Sequence, residues 1–443
     1  MRKIEKRAGV CLLLVLALLL GIGVFSFRYV TRGGDWAAWF PVFSGRAASG
    51  RVLDRDGDIL SCIDDSGRRV YYANPVVRQA TVHAVGDLQG RIGSGALTAF
   101  SDKLSGYNLL TGLYTLTGTG KDLYLTMDAH LNYVAHQAMW GRSGTVAVYN
   151  YKTGEILCMY SAPNFDPENP PSEADAPEGA YVNRFLSALY PPGSVFKIVT
   201  LVAALEYLPG VEDRLFSCTG VTDVGGEAIT CIHAHGDQTL TDALANSCNG
   251  VFAALAAELG AERLTAAAEQ LGLTSVYEIN GQPIAQGVVD LTGAAAGELG
   301  WAGVGQHTDL VNPCAVMVAM GAIGNGGQAA IPQLLLKTGR FGLYGKKMTE
   351  QLIDPAAART VADMMANNVH VTYGDWRFPN MDICAKSGTA EVGDGKQPHA
   401  WFAGFLRGSD TPYAFVALVE NGGSGAQAAG DVAAAVLNTL VNG

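Results

Sequence analysis

Residues 190–207 read Tyr190-Pro-Pro-Gly-Ser-Val-Phe-Lys-Ile-Val-Thr-Leu-Val-Ala-Ala-Leu-Glu-Tyr207. The Pro-Pro-Gly start cannot continue a preceding helix, so it predicts a turn. The residues that follow are apolar on nearly every side, which is typical of a helix buried at the centre of a domain. Two polar residues, Ser194 and Lys197, interrupt this helix near its start. Their spacing places them one turn apart on the same face.

A buried lysine beside a serine hydroxyl predicts nucleophilic catalysis. Burial favours the neutral form of the Lys197 amine, and a neutral amine is a base that can take the proton of the Ser194 hydroxyl. A structural interpretation stays open on this motif alone. Ser194 is also a favourable helix N-cap, and Lys197 can extend its amine to a nearby surface.

The first 30 residues predict a membrane anchor. Four basic residues among the first seven precede an uncharged run, Ala8 to Phe27, that is long enough to cross a bilayer. The basic residues should remain in the cytoplasm, so we expect a single-pass protein of the cell membrane with an extracytoplasmic catalytic domain. A cleaved signal peptide is the alternative, but the run is long for one and no small-x-small cleavage site follows it.

The rest of the chain is acidic and divides into two parts. Beyond Val30 it carries 25 basic and 40 acidic residues with no basic patch, so we expect no nucleic-acid binding. Residues 31–120 predict a small β-rich pedestal module, which opens with a hairpin over residues 50–60 around an Asp-Gly turn. Residues 121–443 predict one large α/β domain.

The order of elements in the large domain predicts its architecture. Strands over residues 144–150 and 155–161 come first, and strands near 382–386, 400–405 and 413–419 come last. Helices are predicted between them, and a final helix over 426–441 closes the chain. Residues 163–180 and 209–238 are predicted to be long loops. This order indicates one antiparallel sheet that takes strands from both ends of the domain and is flanked by helices.

Ser247-Cys-Asn249 is the only Ser-x-Asn in the sequence. A second hydroxyl near the Lys197 amine could relay a proton to a leaving group, and the amide could hold substrate and lysine in register. A helix N-cap is the structural alternative.

Lysine followed by Ser or Thr and then Gly occurs three times, at Lys152, Lys337 and Lys386. Only Lys386 lies on a predicted strand that is followed by a further strand pair, with a glycine that lets substrate approach the backbone. We therefore assign the motif to Lys386.

In this order, Ser-x-x-Lys, Ser-x-Asn and Lys-Ser-Gly resemble the signature of the penicillin-recognising serine enzymes. The wider sequence resembles the class B penicillin-binding proteins, the monofunctional D,D-transpeptidases of peptidoglycan synthesis. The resemblance implies a β-lactamase/transpeptidase-like fold. Two departures are that His307 stands where many members have a glycine, and that the first module is short. Further stretches that carry the resemblance are residues 50–60, Asn183-Arg184, Gly305-Gln306, residues 324–327, residues 386–391 and residues 399–405.

The resemblance implies a role for each motif residue. Ser194 would attack the carbonyl of the penultimate D-alanine of a stem peptide, with Lys197 as the base. Ser247 would pass the proton to the departing D-alanine, and Asn249 would orient substrate and lysine. Lys386, with Ser387 and Thr389, would bind the substrate carboxylate, and Gly388 would belong to the same substrate-binding strand. The N–H groups of Ser194 and Thr389 would form the oxyanion hole.

The resemblance also implies ligands and partners. Peptidoglycan stem peptides are the expected substrates and β-lactams the expected inhibitors, and no cofactor or metal is expected. A multi-pass glycan polymerase of the shape, elongation, division and sporulation (SEDS) family is the expected partner. Two alternatives stay open: a D,D-carboxypeptidase or β-lactamase, in which water deacylates the enzyme, and a scaffold or β-lactam sensor.

The cysteines lead to one further expectation. Cys218 and Cys231 bracket a Gly-rich turn in the long loop before Ser247, in a domain expected outside the cytoplasm, so we expect a disulfide between them. Two separate buried thiols are the alternative. Cys248 and the other cysteines of the large domain are expected to be small buried residues. His233 and His235 are interpreted as loop residues rather than as metal ligands.

Overall fold

The computed structural model describes residues 2–37, 50–105, 107–108, 113–114, 120–172, 174–339 and 342–443. The helices are α1 Arg2–Ala37, α2 Pro75–Val85, α3 Ala96–Ala99, α4 Ser101–Leu104, α5 Ala129–Met139, α6 Arg184–Ser187, α7 Lys197–Tyr207, α8 Leu240–Ala245, α9 Asn249–Gln270, α10 Ala296–Gly303, α11 Pro313–Gly324, α12 Pro355–Asn368 and α13 Gly430–Asn442. The strands are β1 Val52–Leu53, β2 Ile59–Ile63, β3 Arg69–Tyr71, β4 Tyr107–Asn108, β5 Leu113–Tyr114, β6 Leu123–Leu125, β7 Gly144–Asn150, β8 Ile156–Ala162, β9 Phe216–Cys218, β10 Val221–Val224, β11 Glu227–Thr230, β12 Gly236–Gln238, β13 Glu278–Ile279, β14 Gln282–Pro283, β15 Leu335–Thr338, β16 Gly342–Leu343, β17 Ile383–Ala390, β18 His399–Leu406 and β19 Tyr413–Val419.

Helix α1 contains a candidate membrane span. Its segment Arg7–Phe27 is 21 residues long with a mean hydropathy of 2.9, and none of it is buried against the rest of the described chain. A helix of this length and composition is long enough to cross a bilayer.

The central sheet has five antiparallel strands in the order β17-β18-β19-β7-β8. This confirms the predicted sheet, because β7 and β8 come from the start of the domain and the other three from its end. Side chains alternate between the two faces, as the two-residue period of a strand requires. Val146 and Val148 pack in one core with residues of α5 and α13, whereas Ala147 and Tyr149 pack in the other with residues of α7 and α11. Strand β17 lies at one edge of the sheet.

Helix α7 lies inside the larger core. Its first eight residues, Lys197 to Ala204, are all buried, as an all-round apolar sequence predicts. A short 3-10 turn, Gly193–Phe196, precedes it, so Ser194 lies just before the α-helix and Lys197 is its first residue.

A second sheet of six strands, in the order β16-β15-β6-β1-β2-β3, takes strands from both sides of residue 120. Strand β1 pairs in parallel with β6, with Val52 opposite Leu123. The Asn132 amide of α5 donates a hydrogen bond to Ala80 O of α2, at 3.2 Å. Residues 50–85 are therefore packed against the large domain.

The structure differs from the sequence-based prediction in two segments. The predicted loop 209–238 contains four short strands, which form the two-stranded sheets β9/β12 and β10/β11. Helix α12 is the second difference, because no separate helix is predicted over residues 355–368. Its start does carry a recognisable signal: Asp354 precedes a proline and its carboxylate accepts from the N–H groups of Ala356 and Ala357.

Candidate active site

Ser194 lies on a turn that is pressed against strand β17. Gly193 has a φ of +53°, and a Cβ at this position would lie 2.6 Å from the carbonyl oxygen of Thr389. Only glycine fits both the backbone conformation and the space. Ser194 is half-buried and makes no side-chain capping bond at either helical turn, so the structure does not support the N-cap interpretation.

The Lys197 amine lies at the centre of a group of polar atoms from three residues. Its side chain is fully buried. Nζ lies 3.1 Å from Ser194 Oγ, 3.0 Å from Ser247 Oγ, 2.6 Å from Ser247 O and 2.7 Å from Asn249 Oδ1. Burial, and secondly the charge of Lys386, lower the pKa of Lys197 well below its ordinary value. A neutral amine in contact with a serine hydroxyl is the arrangement that a general base requires.

Ser247 and Asn249 direct their side chains to this amine rather than capping a helix. Ser247 has a φ of +50°, which is uncommon for a residue with a side chain, and it lies in the bend between α8 and α9. The N-cap of α9 is Cys248, which makes no side-chain capping bond. Asn249 Nδ2 donates to Thr230 O at 2.8 Å, so both ends of its amide are bound.

Lys386 contacts the same cluster from strand β17. Its side chain is fully buried, and Nζ lies 3.0 Å from Ser247 Oγ and 3.0 Å from Ser387 O. Burial lowers the pKa of Lys386 to about 7. The two other lysines of this pattern lie elsewhere: Lys152 is exposed in the turn after β7, and Lys337 places its amine 4.0 Å from the ring centre of Tyr124.

Two residues at the site have no role that the sequence reveals. The buried Tyr373 places its hydroxyl 3.0 Å from Ser387 Oγ and accepts from Ser387 N at 2.9 Å. Gln306 donates from Nε2 to Thr389 O at 2.9 Å and accepts at Oε1 from Glu391 N at 3.2 Å. Gly305-Gln306 belongs to the family resemblance, but no local pattern marks Tyr373.

The predicted disulfide is not present in the structure. Cys218 and Cys231 are free thiols with their sulfur atoms 3.7 Å apart, well beyond the roughly 2.05 Å of an S–S bond. The Gly-rich return does bring them together, but His235 and Cys248 join them in one cluster. Cys248 is fully buried, as the sequence predicts, and His235 lies in the connection between β11 and β12.

Comparisons with known proteins identify relatives of the chain. Residues 144–442 match the family model described as penicillin binding protein transpeptidase domain. The peptidoglycan D,D-transpeptidase PbpA of Mycolicibacterium smegmatis is 31% identical over 320 residues, which are 66% of this chain and 65% of that protein. The alignment therefore spans just under two thirds of that relative.

Solved structures resemble the chain over most of its length. The D,D-transpeptidase domain of a peptidoglycan glycosyltransferase from Eggerthella lenta superposes with a TM-score of 0.76 at 27% identity, over 90% of this chain and 99% of that one. Penicillin-binding protein A from M. tuberculosis, solved as an imipenem acyl-enzyme, superposes with a TM-score of 0.77 at 25% identity, again over 90% and 99%.

Proposed function

This chain belongs to the penicillin-binding protein transpeptidase family, and from this premise we propose that it is a D,D-transpeptidase that cross-links peptidoglycan stem peptides through an acyl-enzyme on Ser194. One observation carries the proposal. The buried amine of Lys197 contacts Ser194, Ser247 and Asn249, while the amine of Lys386 contacts the same Ser247 hydroxyl.

In the first half-reaction, Ser194 Oγ attacks the carbonyl carbon of the penultimate D-alanine, and its proton passes to the neutral Lys197 amine. The C–N bond to the terminal D-alanine then breaks. The departing amine takes a proton from Ser247, which is replenished from the Lys197 ammonium 3.0 Å away. The product is an ester on Ser194.

In the second half-reaction, an amine of a neighbouring stem peptide attacks the ester carbonyl. Lys197 takes the proton of this amine, and the C–O bond to Ser194 breaks with return of a proton to Oγ. Because each proton that is removed is later returned, the side chains end in their starting state. A β-lactam would follow the first half-reaction only, and its ring-opened ester would remain on Ser194.

Strand β17 supplies the binding surface for the substrate. Within the described parts of the chain its only strand partner is β18, so its other edge, where Gln306 bonds to Thr389 O, is the one that can pair with an extended peptide. Lys386, Ser387 and Thr389 would bind the terminal carboxylate, and Gly388 lets the backbone approach. The N–H groups of Ser194 and Thr389 would form the oxyanion hole, each contributing roughly 3–4 kcal/mol to transition-state stabilisation.

The apolar helix Arg7–Phe27 supports a membrane anchor, and we extend the proposal to its topology. The basic residues before it would remain in the cytoplasm and the catalytic domain would lie outside, where peptidoglycan is assembled. Residues 1–30 would form the cytoplasmic tail and anchor, residues 31–120 a pedestal, and residues 121–443 the transpeptidase domain. A glycan polymerase of the SEDS family would bind through the anchor and the pedestal.

Fluorescent penicillin labelling of the detergent-solubilised chain tests this function. We expect one adduct per chain, placed on Ser194 by peptide mass spectrometry, and none in Ser194→Ala. Ser187→Ala, which changes an exposed serine on α6, is the matched control and should label normally. Incubation with a stem peptide and an acceptor amine should yield the cross-linked peptide. An adduct on another serine, or release of D-alanine with hydrolysis alone, would contradict the proposal.

A further inference from the structure

Three cysteines and a histidine meet beside the Ser247 motif. Cys218 ends β9, Cys231 follows β11, His235 precedes β12 and Cys248 precedes α9. Their four candidate ligand atoms all lie within 4.8 Å of one another. The sulfur of Cys231 lies 3.7 Å from that of Cys218 and 3.8 Å from that of Cys248, and His235 Nδ1 lies 3.4 Å from Cys218 Sγ.

These separations match the edges of a tetrahedron around a zinc ion. Zn–S bonds of about 2.3 Å and Zn–N bonds of about 2.05 Å place tetrahedral sulfur atoms about 3.8 Å apart, and sulfur and nitrogen about 3.5 Å apart. We propose that Cys218, Cys231, His235 and Cys248 bind one Zn²⁺ ion in a closed, structural Cys₃His site. Four protein ligands leave no position for a reacting water, and three sulfur donors favour zinc over magnesium or calcium.

One backbone N–H group points at a sulfur atom of the cluster, where a donor stabilises the thiolate that binds metals. Gly250 donates to Cys231 Sγ at 3.4 Å. Such hydrogen bonds to the ligand atoms are typical of metal sites.

The segment around the cluster explains why a metal would be needed. Strands β9 to β12 are each three or four residues long and form two separate two-stranded sheets, with Ile232 almost fully exposed between them. Isolated two-stranded sheets are marginally stable at best. A metal that joins β9, β11 and β12 to the start of α9 would supply the stability that the small core does not.

The same ion would fix the geometry of the Ser247 motif. Cys248 stands between Ser247 and Asn249, both of which contact the Lys197 amine. Asn249 is also bonded to Thr230 O, directly beside Cys231. The metal would therefore hold the backbone at Ser247 in its positive-φ conformation, which makes Cys248 a positioning residue. This consequence rests on the proposed function, whereas the metal site itself does not.

Metal analysis of the detergent-solubilised full chain tests the site. After dialysis we expect about one zinc per chain by plasma mass spectrometry. Cys218→Ser and Cys248→Ser should lose it, whereas Cys158→Ser, a change at a buried cysteine outside the cluster, should retain it. Refolding with Co²⁺ should give the intense visible absorption and the thiolate charge-transfer band of a tetrahedral thiolate site. Ser194→Ala should keep its zinc but take up no penicillin, which separates this proposal from the proposed function.

Chelation of the wild-type chain addresses the positioning role without relying on variants that could fail to fold. Removal of zinc should slow penicillin acylation on the order of a hundredfold, since a misplacement of about 1 Å costs that much. The acylation rate should recover when zinc is added back. The slower acylation should also be seen at temperatures below the melting temperature of the chelated chain, where that chain is still folded. A zinc-free chain in which Cys218 and Cys231 form a disulfide would overturn the proposal. So would equal reaction of the Cys218, Cys231 and Cys248 thiols with a thiol reagent in the presence and absence of chelator. Unchanged acylation after complete removal of zinc would overturn the positioning role.

Discussion

Replacement of Lys386 by methionine should greatly slow penicillin acylation and yet stabilise the fold at neutral pH. The side chain is fully buried, and burial lowers the pKa of Lys386 from 10.5 to about 7. Between these two values the unfolded chain binds a proton that the folded chain releases, so this lysine makes stability rise with pH across that window. Below pH 7 the lowered pKa of Lys386 destabilises the folded chain by a constant amount. Methionine has a similar length and no charge, so Lys386→Met lacks this destabilisation and its pH dependence.

The size of the change follows from the two pKa values. At pH 7 the lowered pKa destabilises the folded chain by about 4 kcal/mol, and at pH 9 by about 2 kcal/mol. The variant also loses the hydrogen bonds to Ser247 Oγ and Ser387 O. This loss offsets about 1–2 kcal/mol of the gain in stability. We therefore expect a net stabilisation of about 2–3 kcal/mol at pH 7 that nearly disappears by pH 9.

Urea and thermal unfolding of the two chains at pH 7 and pH 9 would measure this effect, with penicillin labelling alongside. Lys152→Met, at the exposed lysine of the same sequence pattern, is the matched control and should change neither stability nor labelling appreciably. The reasoning is refuted if Lys386→Met lowers the unfolding midpoint at pH 7. It is equally refuted if the difference between variant and wild type is the same at both pH values.

Three further outcomes are expected. Lys197→Ala should slow penicillin acylation by roughly 10²–10⁴-fold because the general base is lost, and stopped-flow labelling would measure this; a loss of less than tenfold would assign the base elsewhere. In Lys386→Met the pKa of Lys197 should rise because a neighbouring like charge is removed, so the residual acylation rate should need a higher pH, and an unshifted or acid-shifted pH–rate profile would contradict this. Tyr373→Phe should leave the fold intact but weaken capture of the substrate carboxylate about tenfold, because Ser387 loses the hydroxyl that binds both its N–H and its Oγ. An effect on melting temperature without one on acylation would make Tyr373 purely structural.

The parts of the structure that sequence predicts well are those set by local pattern. Ser194 and Lys197 are one turn apart, so any helix starting there brings them together. The alternating residues of β7 and β19 pack on both faces of the sheet, which the strand period anticipates. Ser247 and Lys386 follow from the order of the motifs through the family resemblance.

The parts that sequence does not predict depend on contacts between distant segments. Tyr373 reaches Ser387 from the short π-helix Val369–Tyr373 after α12, and nothing near it in sequence distinguishes it from an ordinary core tyrosine. The proposed metal ligands are spread over residues 218–248, and their spacing lacks the paired Cys-x-x-Cys pattern of common zinc sites. Only the fold of β9 to β12 brings His235 and Cys248 beside Cys218 and Cys231.

The six-stranded sheet has a practical consequence for shortened forms of the protein. A chain that began at residue 121 would leave one edge of β6 without β1 and would remove α2 from α5, which exposes apolar surface and invites aggregation. A soluble recombinant form should therefore begin near Gly50. For the same reason, a protease cut between α4 and β6 should give two fragments that elute together from a sizing column and separate only in denaturant.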